Sequence, residues 1–206
     1  MIKRDRNVIK SQMSKRHAIA VSIIWYILAM SLYFLFSSCK KIDEFGFRDY
    51  VIKEGNHSSR RSYNTTKTNC LQFQAIFDES AIYQSIDTNN QYDINKLYGL
   101  SDCNDNHTKT SMRLGWRWLN DSLEIHWFKH TNENFSFAKI STINLNTIVN
   151  FSITFDENYY HVSVDIDTVT IDRPCNSQSI RRYYLYPYFG GDETAPHDIK
   201  IKIKSI

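Results

Sequence analysis

The feature that most restricts this chain is a two-residue alternation that fixes its own strand pairing. Around Asn120-Asp121, residues 112–118 and 123–128 register as a hairpin when Leu119 is set opposite Ser122. Trp118 then faces Leu123, Trp116 faces Ile125 and Leu114 faces Trp127, all on one side. The other side sets Arg117 opposite Glu124 and Gly115 opposite His126. Successive strand side chains point to opposite faces, so a slip of one residue would scatter the apolar set and undo the charge pairing. A second hairpin, around Glu157-Asn158, sets Phe155 opposite Tyr160, Ile153 opposite Val162, Phe151 opposite Val164 and Val149 opposite Ile166. Its outer face pairs Thr154 with His161, Ser152 with Ser163 and Asn150 with Asp165.

The same alternation predicts strands at 71–77, 135–143, 168–171, 182–189 and 199–203, and no long amphipathic helix after residue 70. The Ile-Lys-Ile-Lys-Ile run at 199–203 has one apolar and one charged face, as a strand with one wet side should. Only 6 Gly and 3 Pro occur, so Asn, Asp and Ser must make most turns. Many antiparallel strands with short polar turns predict an all-β antiparallel sandwich or barrel. The order Gly115-Trp116, a strand, Tyr159-Tyr160-His161-Val162-Ser163-Val164-Asp165 and Val169-Thr170-Ile171 resembles concanavalin-like and laminin-G-like jelly rolls. Residues 185–199 (LYPYFGGDETAPHDI) are similar to a segment of Bacteroidota lipoproteins. So are Ser101-Asp102-Cys103 and the following Arg113-Leu114-Gly115-Trp116-Arg117. These resemblances cover 70–206 and imply a jelly-roll domain in a cell envelope; they bring no activity with them.

The N-terminus reads as an address. Residues 1–17 are basic, residues 18–36 form an uncharged apolar run, and Ser37-Ser38-Cys39 is followed abruptly by Lys40-Lys41. A basic region, an apolar region and small residues before a cut describe a secretory signal over 1–38. Small residues before a cysteine resemble the lipobox, which implies lipidation of Cys39. Met13 is an alternative start, and an uncleaved membrane helix is the alternative to cleavage, because 19 apolar residues can span a bilayer. Either way the positive-inside rule places the domain outside the cytoplasm. Lys40 rather than Asp after the cysteine implies, by resemblance, the outer membrane, and Lys40-Lys41-Ile42-Asp43-Glu44 loosely resembles a surface-export signal. Residues 39–68 are polar and aperiodic, which predicts the lipidated Cys and a flexible tether before a domain at 69–206. Asn56 and Asn64 match glycosylation sequons that carry little weight in a bacterial lipoprotein.

The charge follows the same division. Lys3, Arg4, Arg6, Lys10, Lys15 and Arg16 against Asp5 give residues 1–39 a charge of +5, which leaves −2 of the net +3 on residues 40–206. A mildly acidic domain has no global field for phosphate backbones, so nucleic acid is excluded as its partner. With Cys39 lipidated, Cys70, Cys103 and Cys175 remain. Export permits disulfides, and Cys103–Cys175 is the favoured pair: both lie in polar loops, and closing so long a span would stabilise by about 4 kcal/mol. Cys70 begins a strand and reads as buried. No Cys or His spacing supports zinc.

Chemistry has three candidate locations. Loop 101–110 with Arg113, Arg117, Glu124 and His126 offers bidentate donors for sugar hydroxyls, and Gly115 beside His126 predicts a recess. An ordinary wet sheet face with a cross-strand Arg117–Glu124 pair, typically worth ~0.2–1 kcal/mol, explains the same residues. Asp192, Glu193 and Asp198, on a Gly190-Gly191 loop, are oxygen ligands of the kind calcium takes and, by resemblance, of the kind that braces jelly-roll glycan binders. They also suit a turn that needs no metal. Tyr183, Tyr184, Tyr186 and Tyr188 offer a sugar platform or a plain sheet surface. The Glu-x-Asp-x-x-Glu strand of jelly-roll glycosidases and the Gln-x-His strand of jelly-roll lyases do not occur, nor does a Gly-x-Ser-x-Gly or phosphate loop. His126, Arg113 and Tyr188 are the nominees for a lyase set. The leading expectation is a non-catalytic glycan-binding sandwich, with Tyr186 and Tyr188 beside the polar face. A small polysaccharide lyase or glycosidase and a structural or accessory envelope component are the alternatives.

Overall fold

The computed structural model describes residues 42–60, 63–175 and 181–206. The export signal and Cys39 lie outside the described residues. The chain divides into two compact units at Lys41/Ile42, and the second is the subject below. Its described residues form twelve strands: β1 Arg48–Ile52, β2 Thr65–Thr66, β3 Cys70–Phe77, β4 Asn95–Ser101, β5 Thr110–Leu119, β6 Ser122–Thr131, β7 Asn134–Ile143, β8 Val149–Phe155, β9 Tyr159–Val164, β10 Asp167–Asp172, β11 Arg182–Leu185 and β12 Ile199–Ser205. Two single 3-10 turns, Glu79–Ala81 and Asn90–Tyr92, lie between β3 and β4.

The strands form two six-stranded antiparallel sheets, ordered β1-β12-β3-β8-β9-β10 and β2-β11-β4-β5-β6-β7. The β5–β6 register is the one the sequence fixes, from Leu119 opposite Ser122 to Leu114 opposite Trp127. Asn120 and Asp121 both take positive φ (51° and 54°), the two-residue turn that matches strand twist. In the β8–β9 hairpin, Phe155–Tyr160, Ile153–Val162 and Phe151–Val164 pair as expected. Val149 does not meet Ile166. Asp165 turns to φ 49° and bonds the backbone of Asn150 through its side chain, so Ile166 swings out to 93% exposure while Val149 faces Ala75.

Facing side chains of the two sheets make one core. Phe73 stacks on Phe151 at 5.0 Å and meets Tyr98 edge-on at 5.1 Å; Phe77 leans on Trp116 at 5.4 Å. Trp116, Leu97, Leu114 and Ile125 from the second sheet and Ile52, Ile199 and Ile201 from the first are fully buried. At one end, the carboxylate of Asp102 is completely buried. It accepts from Arg173 (2.6 and 3.1 Å), Arg182 (3.1 Å) and the Tyr160 hydroxyl (3.0 Å). The Cys103–Cys175 disulfide, favoured from the sequence, closes beside it with a Cα separation of 5.9 Å. Cys70 is half-buried, with its sulfur 3.6 Å from the Thr154 hydroxyl.

Two expectations are corrected here. The tether expected at 39–68 contains β1, whose Tyr50 and Ile52 enter the core and which pairs with β12 from Arg48–Ile203 to Ile52–Ile199. The strand expected at 182–189 stops at Leu185, because Pro187 has no N–H to continue a ladder. β4 was not anticipated; a bulge between Lys96 and Tyr98 breaks its alternation.

Candidate functional site

The outer face of the second sheet can be read in cross-strand rows. One runs Ser101, Ser111, His130, Phe135; the next Gly99, Arg113, Phe128, Phe137; the third Lys96, Gly115, His126, Lys139. The first two rows, with Lys96, floor a cleft of about 550 Å³. Its walls come from Ser58, Arg60 and Tyr63 before β3, from Asn90 and Asp93 before β4, from His107 and Thr108, and from 186–192. Gly99 lets β4 lie close against β5 beneath Arg113: a Cβ there would sit 2.6 Å from the Arg113 Cα and 2.7 Å from its Cγ. Gly190 and Gly191 are needed for a different reason. Gly191 has φ +77°, and side chains at the two positions would displace the Lys96 ammonium and the Asp93 carboxylate.

Arg113 is the centre of the cleft. It is buried, its Nη2 donates to the Tyr186 carbonyl at 2.7 Å, and its Nε has no partner. Among the described residues no carboxylate pairs with it, and burial pulls its pKa down to about 10. Beside it the Lys96 ammonium donates to the Ile94 carbonyl (2.7 Å) and lies 4.4 Å over the Phe128 ring. Burial, then the Arg113 charge, lowers Lys96 to about 8. His130, against the Ser111 hydroxyl at 3.3 Å, is pushed down to about 4 by burial and by Arg113, and is neutral at pH 7. His107 is lowered by the same two causes. At the other end Asp93 is raised, first by burial and then by the Asp192 and Glu193 charges, with Lys96 opposing. These neighbours set Asp93 beside Asp192 and Lys96, Lys96 beside Arg113, and Arg113 beside His130 and His107.

Exposed aromatic rings flank the cations. Phe135 (62% exposed) and Phe137 (40%) stack with Phe128 at 5.4 and 6.1 Å. Tyr188 stacks on His57 at 5.2 Å, and Tyr63 tilts against Tyr183 at 5.3 Å. The cleft therefore offers flat apolar surfaces around a cationic centre, with two carboxylates at one end.

Of the residues expected from the sequence, the cleft gathers Arg113, Tyr186, Tyr188 and Asp192. The Tyr186 ring belongs to the core side, packed on Tyr50 and Tyr98 at 5.7 Å each, with Arg60 4.4 Å above it. Tyr184 likewise stacks on Tyr98, at 5.8 Å, so the tyrosines do not form one outward row. Arg117, Glu124 and His126 do not line the cleft. The recess expected at Gly115 is filled: a Cβ there would strike the Ile94 side chain, and His126 is only 2% exposed. Glu124 accepts from Arg117 (2.7 Å), His126 (3.2 Å) and Lys139 (3.0 Å). Burial opposes its ionisation, but the bonds from Lys139 and Arg117 prevail and hold it at about 2. The Glu124 carboxylate is satisfied by these three donors, while the buried Nδ1 of His126 has no hydrogen-bond partner among the described residues. The histidines at the cleft are His130 and His107 instead. Extending the β5–β6 register four pairs past Gly115–His126, two of them on the same face, would have found His130 opposite Ser111; Lys96, on the unanticipated β4, had no such signal.

The three calcium candidates do not converge. Glu193 accepts from the Ile86 and Asp87 amides and from Asn90, and Asp198 from Lys53 and the Glu54 amide. The oxygens of Glu193 and Asp198 are occupied by N–H donors, and among the described residues the three carboxylates do not group at metal-ligand distances. Among the described residues, only Asp102, Cys103 and Cys175 group at metal-ligand distances, and there the sulfurs are bonded to each other and two arginines hold the carboxylate.

No protein-family model and no curated protein sequence matches the chain. Solved structures do. The alginate lyase AlyC3 superposes with a TM-score of 0.60 at 11% identity, over 82% of this chain and 77% of the lyase. The same lyase in complex with dimannuronate gives 0.57 at 11%, over 80% and 75%. A non-specific endo-β-1,3(4)-glucanase of family GH16 gives 0.50 at 9%, over 77% and 69%. The chain has the jelly-roll fold. At these identities the likeness establishes the sandwich and its strand order, and the cleft chemistry must be argued from this chain's own residues.

Proposed function

We propose that this chain is an exported, lipid-anchored glycan-binding protein whose cleft takes an acidic sugar unit. The observation that carries the reading is Arg113, a buried cation with no acid partner among the described residues. A lone buried charge is costly unless something compensates it, and a guanidinium matches a carboxylate in shape and charge. Lys96 adds a second cation, and Phe135, Phe137 and Tyr188 offer surfaces for the apolar faces of sugar rings. The dimannuronate complex of a lyase with the same fold is in keeping with a uronate as the acidic unit. Titrating the full chain with oligomannuronate and with neutral hexaoses tests the reading. Arg113→Met is expected to weaken oligomannuronate binding by about 30-fold or more while leaving the thermal midpoint level or raised, since it removes an uncompensated charge. Unchanged binding with a lowered midpoint would make Arg113 a structural residue and overturn the proposal.

A lyase is the second reading, favoured by neutral His130 beside Arg113 and by Tyr63 and Tyr188 in the cleft lining. In β-elimination a base takes the proton next to the carboxylate, the C–O bond to the neighbouring sugar breaks, and a C=C bond forms as the leaving oxygen gains a proton. Arg113 would hold the carboxylate, a neutral imidazole could take the proton, and a tyrosine could return one. Growth of ultraviolet absorbance from the new conjugated double bond, abolished by His130→Gln, would select this reading over simple binding.

A further inference from the structure

A second depression lies across the Asn90–Tyr92 turn from the cleft, and its chemistry is different. It encloses about 590 Å³ between that turn, residues 83–89 and the β5–β6 turn. Its aromatic surface is the Tyr92 ring, 61% exposed, with the half-buried Trp118 beside it. Its polar groups are the exposed amides of Gln84, Asn89 and Asn120, which hydrogen-bond to no other described side chain or backbone group. Asp121 is the only charged residue in the lining.

The wall between the two sites is preformed. Gln91 accepts from the Ser85 amide at 2.7 Å and donates to the Trp118 and Tyr83 carbonyls at 2.7 and 3.3 Å. On the cleft side Arg117 donates to the Tyr92 carbonyl at 2.9 Å. The turn is thus pinned from both sides, and the Tyr92 ring stays 61% exposed with the Arg117 guanidinium 5.9 Å from its centroid.

We infer that this depression is a second carbohydrate site, selective for neutral sugar units. Amides donate and accept, as sugar hydroxyls require, and the aromatic pair offers a face for ring C–H groups. No cation lines the depression, the nearby Arg117 is already paired with Glu124 at 2.7 Å, and Asp121 repels a carboxylate. The inference stands apart from the acidic-sugar reading of the cleft, since it uses none of the cleft's charges.

The test is calorimetric titration of the full chain with cellohexaose, laminarihexaose and mannohexaose, alongside oligomannuronate on the same preparation. At least one neutral hexaose is expected to bind. Tyr92→Ala is expected to weaken it about tenfold, and so is the double change Gln84→Ala with Asn89→Ala, which touches neither Arg117 nor the core. Both variants should bind oligomannuronate as the unaltered chain does. If none of the three hexaoses binds, or if both variants bind them undiminished, the second site does not exist. The oligomannuronate titration reports on the cleft separately, so failure of one reading is not mistaken for failure of the other.

Discussion

Lys96 shows how one side chain can make binding depend on pH. Burial under Gly190 and the nearby Arg113 charge bring its pKa down to about 8. The free protein therefore begins to lose this charge just above neutrality, whereas the unfolded chain keeps it until near the ordinary lysine value. Between those two values the unfolded state binds more protons, so stability rises with pH across the window. Anion binding has the opposite sign, because it favours the protonated ammonium. Oligomannuronate affinity is expected to fall as pH rises from 7 to 9.5, and Lys96→Met should weaken binding at pH 7 while flattening that fall. An equally steep pH profile in Lys96→Met would assign the titration to another group. For stability, His130 has the same sign at acid pH: its pKa near 4 means the folded protein holds it neutral, so stability is lost as pH falls from about 6.5 toward 4.

Between elements, the Asp102 network does for polar groups what the Phe73–Phe151 stack does for apolar ones. It ties β4 to β11 through Arg182, and to the segment after β10 through Arg173. Asp102→Asn would remove the buried carboxylate that Arg173 and Arg182 share, so a loss of about 3–5 kcal/mol is expected in urea denaturation; a loss under about 1 kcal/mol would show that the cluster is already solvated. Such contacts explain what the sequence could and could not reveal. The β5–β6 and β8–β9 registers were legible because each is local and checks itself through paired faces and a turn. β1 was not, because its partner β12 lies about 150 residues away and its setting is polar. Pro187 marks the end of β11, but the aromatic alternation around it hid the break. Of the cleft, Arg113 and Tyr188 were visible on their own strand and loop. His107, His130, Lys96 and Asp93 come from separate segments, and only long-range pairing brings them together. His126 was nominated because Gly115 faces it, and the Ile94 side chain that fills the gap precedes the strand the alternation concealed.

At the scale of the whole molecule, the boundary of the folded unit decides what can bind. Residues 42–68 supply β1 and β2, and also His57, Ser58, Arg60 and Tyr63 along the cleft. A fragment beginning at residue 69 would lose the burial of Tyr50 and Ile52, roughly 1.5–3 kcal/mol for an apolar side chain of that size. It would also leave β12, with Ile199, Ile201 and Ile203, as a bare sheet edge of the kind that recruits other chains. A fragment of residues 42–206 keeps the strand and the cleft wall together. Its urea midpoint is expected to match that of the full chain, with one cooperative transition, whereas the 69–206 fragment should unfold at lower urea and self-associate as its concentration rises. Light scattering and tryptophan fluorescence on the two fragments make the comparison. Equal midpoints would mean that β1 rests on the domain without stabilising it. In that case the charged edge of β12, with Lys200, Lys202 and Lys204 alternating along it, would itself be sufficient protection against association.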